Sequence, residues 1–199
     1  FVDVPRQRNH RAENATIKAG AVPQEWAEQP AKQRQKDVDA RWIKKSAEVH
    51  YGYKNHVKAD VQSKLIEHYA VTDASVHDSQ LLATLVAPAD GAVYAASAYR
   101  SAEAEAMLAQ KQVTSRIHER AYRNCPLTDE QKESNRQKSR IRARIEHIFG
   151  YMSQSMKGFY LRYIGRRRNA AAVGLFNPIY NLAHYEQIVR LKLRPRTAA

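Results

Sequence analysis

The sequence predicts a single α/β domain, and three observations carry that reading. Residues 50–59 (HYGYKNHVKA) alternate Tyr51, Tyr53, Val57 and Ala59 with polar side chains, the period of a half-buried strand. Residues 91–97 (GAVYAAS) form a short, nearly all-apolar run, the pattern of a strand covered on both faces. From about Thr128 to Met156 the period changes: Ile141, Ile145, Ile148, Phe149, Met152 and Met156 fall on one stripe at about 100° per residue, as on a core-facing helix. Strands followed by helices around one buried strand is the order of an α/β domain.

Taken along the chain, FVDV (1–4) reads as the tail of a strand, so the first strand is expected to be incomplete. Residues 5–36 are polar, carry Pro5, Pro23 and Pro30, and read as a long connection with one helix around Gln24–Gln35. LIEHYAVTD (65–73) is a second strand, joined to the first through the hairpin connection ADVQSK. DSQLLATLV (78–86) is a short helix with Asp78 at its start, AEAEAMLAQK (102–111) a helix by propensity, and QVTSRIH (112–118) a further strand. Thr128, Asp129 and Glu130 open the long helix with cap-type and acidic residues. Residues 170–193 give a last helix, which Pro178 should kink or interrupt. The organisation is one domain over 1–199, partial in its first strand, with a polar connection over 1–36 and a basic helical part over 128–199.

Composition limits what the chain can do. Its 199 residues are 43% hydrophobic, enough for a core and too many for global disorder. No run of 18 apolar residues exists, so no membrane helix is expected, and no charged-then-apolar leader opens the chain. Cys125 is the single cysteine, which excludes an internal disulfide and suits a reducing cytoplasm. The formal net charge is +13, and residues 131–199 hold 15 of the 33 basic and 3 of the 20 acidic side chains. Clustered charge favours a face for an anionic polymer over a merely solvated surface.

Glu146 stands out. With Ser139, Arg142 and Ser153 it falls on one flank of the long helix, beside the apolar stripe, and Arg136, Lys138, Arg140, Arg142 and Arg144 precede it. Cations that hold a phosphate backbone around an acid that holds a metal would suit phosphate chemistry. An Arg142–Glu146 pair on an exposed helix face explains the same spacing. Arg166, Arg167 and Arg168 read equally as a phosphate clamp or a solvated turn. Asp37 and Asp39 fit local capping, or pairing with Arg41 and Lys44, better than metal ligation, and Asp73 and Asp78 look like turn and cap residues. His50, His56, His68, His77, His118, His147 and His184 do not give zinc spacing with Cys125. Tyr51, Tyr53, Tyr94, Tyr99, Tyr122 and Tyr151 fit core positions better than base stacking, and RLKLRPRTAA reads as a frayed basic tail.

Five phrases carry a family resemblance: KDVDARWIKKSAEVHYGYKNHVKADV (36–61), YAVTDASVHDSQLL (69–82), VYAASAYRS (93–101), SRIRARIEHIFGYM (139–152) and GLFNPIYNL (174–182). Together, and in this order, they resemble bacterial insertion-sequence transposases of the D-D-E type, in the insertion sequence four/five-like superfamily. The resemblance implies a ribonuclease-H-like fold, a five-stranded mixed sheet flanked by helices. It implies one catalytic Asp on the first strand, a second at the end of the fourth, and a Glu on a later helix. These acids hold two Mg²⁺ ions for phosphodiester cleavage and strand transfer in DNA transposition and recombination.

Carried over residue by residue, Glu146 takes the Glu position and Arg142 the Arg one turn earlier, while Ser153 stands where related patterns often have Lys. Members like this one usually read VYADSAYRS, so Ala96 replaces the second Asp. The first Asp usually lies a few residues ahead of FVDVPRQRN, before Phe1, and Asp3 is out of phase with it. The resemblance thus implies an N-terminally truncated catalytic domain with two of three acids absent, impaired in catalysis and with Mg²⁺ binding weak or lost. DNA would be held through Arg136, Lys138, Arg140, Arg144, Arg166, Arg167 and Arg168. The alternative is a non-enzymatic DNA-binding protein that pairs with a full-length transposase and inhibits it. Expected partners are insertion-sequence ends or non-specific duplex, and a homo-oligomer or full-length transposase, in the bacterial cytoplasm at the nucleoid and not at a membrane.

Overall fold

One long strand organises the larger sheet. The computed structural model describes residues 1–193 except 5, 6, 46, 159 and 160, and the basic tail lies largely outside the described residues. Strand β1 (Val2–Asp3) and strand β2 (Arg41–Lys45) both run antiparallel to β3 (Glu48–Ala59), on opposite sides of it, and β4 (Ile66–Asp73) also pairs β3. A smaller parallel sheet joins β5 (Ala92–Val93) to β6 (Thr114–Ser115). The helices are α1 (Arg11–Lys18), α2 (Gln24–Glu28), α3 (Pro30–Gln33), α4 (Leu82–Leu85), α5 (Ala102–Gln110), α6 (Asp129–Gln154) and α7 (Arg166–Arg190). The architecture is mixed α/β, as the sequence predicts, with its strands in two sheets.

The chain divides into two compact units. The first comprises Phe1–Asn55, Val71–Val76 and Ser155–Ile179. Its core is Val2, Val4, Ala40, Tyr51, Tyr53 and Val173. Strand β1 approaches β3 so closely at Gly52 that a Cβ there would strike the Val2 carbonyl oxygen; with φ at 152° the position needs glycine. Two buried carboxylates tie this unit together. Glu13 accepts from Trp26 Nε1 at 2.8 Å, Lys36 Nζ at 3.0 Å and the His10 amide at 2.6 Å. Asp37 accepts from the Tyr53 hydroxyl at 2.9 Å and from the amides of Asp39, Ala40 and Gly165. Asp37 and Asp39 thus act as caps, Asp39 taking the Arg166 amide at 2.9 Å.

The second unit comprises His56–Ala70, His77–Gln154 and Tyr180–Ala199. It contains a β5–α5–β6 crossover whose core is Leu82, Val86, Ala95, Leu108, Val113 and Ile117. Ile148 and Met152, from the predicted stripe of α6, are fully buried. Asn181, in the phrase GLFNPIYNL, clamps the start of β4: its carboxamide both accepts from the Ile66 amide and donates to the Ile66 carbonyl, each at 2.8 Å.

Four local expectations are corrected. Residues 5–36 hold three short helices rather than one, because buried hydrogen bonds to Glu13 hold α1 in place. Strand β2 arises in RWIKK, which the period analysis passes over. In GAVYAAS only Ala92–Val93 is strand, and it is half-buried, because the chain turns into a 3₁₀ segment at Ser97. Helix α7 starts at Arg166, ahead of the expected start, and Pro178 does not interrupt it. Asp73 is a turn residue as expected, its carboxylate accepting from the Ser75 amide at 2.9 Å.

Candidate functional site

The site predicted around Glu146 lies in the second unit and is built by the β5–β6 pairing. The parallel ladder extends past the two strands: Arg116 donates to the Val93 carbonyl at 2.8 Å and His118 to the Ala95 carbonyl at 3.1 Å. Ala96 therefore follows the end of this ladder, three residues past β5 and with extended backbone, and its carbonyl accepts from the Tyr99 amide at 3.0 Å to start the 3₁₀ turn. The same ladder sets His118 beside the strand end. His118 Nε2 lies 3.3 Å from the Ser139 hydroxyl, so α6 meets the strand end one turn before Arg142.

Arg142 and Glu146 form an i, i+4 ion pair at 3.2 Å, with the Glu146 side chain 61% exposed. The Arg142 Nε is buried and has no hydrogen-bond partner. Burial, then the Arg142 and Lys138 charges, push the His118 pKa down, which favours a neutral imidazole. Burial, then the Asp78 charge, push the Tyr99 hydroxyl up to about 12, against the opposing pull of Arg142. Asp78 lies 3.6 Å from the buried His56 ring. The sequence reads Tyr99 as a core position, and it does pack against the core of this unit, but nothing in the sequence places Tyr99 or His118 at this site. Only the pairing of two very short strands brings them beside α6.

The predicted phosphate-binding cations divide by environment. Arg136 and Arg140 are exposed, Arg136 lying 3.6 Å from Glu133. Lys138 turns inward, donating to the Ile117 carbonyl at 3.0 Å and lying 3.5 Å from Glu119. Arg144 donates to the Val61 carbonyl. Arg166, Arg167 and Arg168 form the exposed first turn of α7 in the other unit, rather than a loop before it.

A divalent metal does not fit the residues present. Position 96 offers no carboxylate, Glu146 is paired with Arg142 on the helix surface, and among the described residues no group of three His, Cys, Asp or Glu side chains is placed to hold an ion. What the site offers is a guanidinium with an unsatisfied donor, a neutral imidazole and a hydroxyl, a set that suits an anion.

An acid-bearing helix packed beside a strand end, within a basic segment, is a layout for handling phosphodiesters. Residues 24–182 match the family model described as the transposase DDE domain. The chain is also 36% identical over 132 residues to the transposase for insertion sequence element IS1106 of Neisseria meningitidis serogroup B. That alignment covers 65% of this chain and 46% of the relative, so the chain matches about half of that protein's length. No solved structure matches the chain. The chain belongs to the DDE transposases of bacterial insertion sequences.

Proposed function

We propose that this chain is the DNA-engaging part of an insertion-sequence transposase on a ribonuclease-H-like plan, and that as it stands it grips DNA without cutting it. The observation that carries the reading is Ala96 at the strand end beside the helix that bears Glu146. In the family a divalent metal such as Mg²⁺ would supply Lewis-acid chemistry at the phosphodiester. Here the donor set is short, and Glu146 pairs with Arg142 instead. The exposed Arg136, Arg140, Arg166, Arg167 and Arg168 supply phosphate contacts. Lys138 and Arg144, bonded to backbone carbonyls, support the fold first and contact DNA second. The setting is the bacterial cytoplasm, at the nucleoid.

The test is duplex binding and nicking by the full chain, with Mg²⁺ and with Mn²⁺. About six phosphate contacts give a slope of log K on log salt near −5. Retardation with that steep salt dependence and no nicking is the expected result. Mn²⁺-dependent nicking that Glu146→Ala abolishes overturns the non-cutting part, and salt-independent affinity overturns the DNA part.

A further inference from the structure

The charge distribution points to the last third of the sequence as the polyanion face. The first unit holds a second cationic concavity that this distribution does not reveal. A groove of about 600 Å³ is lined by Arg8, His10, Arg11, Trp42, Lys44 and Val49, among others, and no carboxylate among the described residues lines it. Resting on the DNA-engaging reading above, we propose that this groove is a separate binding site for the sugar-phosphate backbone of duplex DNA.

Three observations carry it. First, Arg8, Arg11 and Lys44 are exposed, and none of them meets a carboxylate among the described residues. They reach the same groove from the segment before α1, from the first residue of α1 and from β2. A lysine on an edge strand is commonly a guard against strand addition, and Lys44 alone would be explained that way. Convergence with two arginines from other elements is not.

Second, the Arg8 charge is held in place before any ligand arrives. The Arg8 carbonyl accepts from the buried Lys36 ammonium at 3.2 Å, and the Asn9 carbonyl from Trp42 Nε1 at 2.7 Å. Asn9 Nδ2 donates to the Asp37 carbonyl at 2.7 Å. The Arg8 guanidinium lies over the Trp42 ring, 5.5 Å from its centre. Less side-chain freedom is then lost on binding.

Third, the ligand class follows from what the aromatic is doing. The Trp42 ring is covered by Arg8 and its N–H is used, so it is not a free platform for stacking an unpaired base. Lys44 and Trp42 share a face of β2 by the alternation of a strand, and Val49 is the cross-strand partner of Lys44. The groove thus presents one positioned guanidinium and two further exposed cations around an apolar floor. That suits phosphates flanking a sugar and carries no base-specific donor pattern.

The experiment is anisotropy titration of the full chain against a labelled duplex, from about 50 to about 200 mM salt. Each phosphate contact contributes about 0.9 to the slope. Arg8→Gln/Arg11→Gln/Lys44→Gln should therefore lower the steepness by about 2 to 3 units, against a charge-matched control, Lys18→Gln/Arg34→Gln/Arg120→Gln, that keeps the full slope. Arg11→Gln/Lys44→Gln, which leaves the Arg8–Trp42 contact intact, should lower it by about 2 if the triple variant does not fold. A groove variant with the full slope, or a control that falls equally, overturns the groove while leaving DNA binding standing. Absence of salt-dependent binding by the unaltered chain overturns the DNA-engaging reading itself.

Discussion

The Glu146 carboxylate lies 3.2 Å from the Arg142 guanidinium one turn earlier on α6, and the pair is on the surface. An exposed i, i+4 pair contributes a few tenths of a kcal/mol. Glu146→Gln should therefore leave stability within about 0.5 kcal/mol of the parent, read as the urea midpoint at pH 7. A loss of several kcal/mol would show that Glu146 is a structural residue and would remove it from the functional argument.

Asp37 is the opposite case. Its buried carboxylate accepts from one hydroxyl and three amides, and one of those amides, Gly165, lies far along the chain at the start of α7. Burial and the Asp37 charge both push the Tyr53 hydroxyl pKa up, so it stays protonated and donates. Asp37→Asn replaces an acceptor with a donor that faces other donors. The expected cost is about 2–4 kcal/mol, with no change in the slope of the denaturant transition. Equilibrium unfolding in urea measures both.

These two acids show what was legible in the sequence. Glu146 and Arg142 could be found because a regular helix turns spacing into geometry, and the alternation around Tyr51 and Tyr53 likewise fixes β3. Asp37 read correctly as a cap, but its partner Gly165 lies 128 residues away and no local pattern announces it. Helix α1 was missed for a related reason. Its buried face is polar, Glu13 and Asn14, and is held by Trp26 and Lys36, so no apolar stripe marks it. The inward turn of Lys138 toward Ile117 and Glu119 is equally hidden among four neighbouring arginines.

The Glu13–Lys36 pair predicts an acid limb in the stability curve. Burial alone would raise the Glu13 pKa, but hydrogen bonds from the His10 amide, Trp26 and Lys36 outweigh it and hold the carboxyl below its ordinary value. As pH falls, the unfolded chain takes up this proton first. The stabilisation is therefore complete above the ordinary glutamate pKa and is lost as pH drops through the folded one. Lys36→Met should cost about 3–5 kcal/mol at pH 7, because it strands a buried charge, and should flatten the limb below pH ~4.5. Urea midpoints measured from neutral pH to about pH 3 check both.

His118 reports directly on what occupies the site. In the free chain, burial and the charges of Arg142 and Lys138 hold its pKa below the ordinary value. The unfolded chain then binds the proton more readily, so this group lowers stability as pH falls from the ordinary histidine value toward the folded one. Arg142→Gln removes one of the two cations and should raise the His118 pKa, followed as an imidazole NMR titration. A duplex phosphate seated on the Arg142 guanidinium should move it the same way, because an anion beside the ring favours the imidazolium. If duplex at saturating concentration leaves the titration unchanged while Arg142→Gln shifts it, DNA does not reach the strand end at Ala96. The contacts then lie elsewhere on the basic surface.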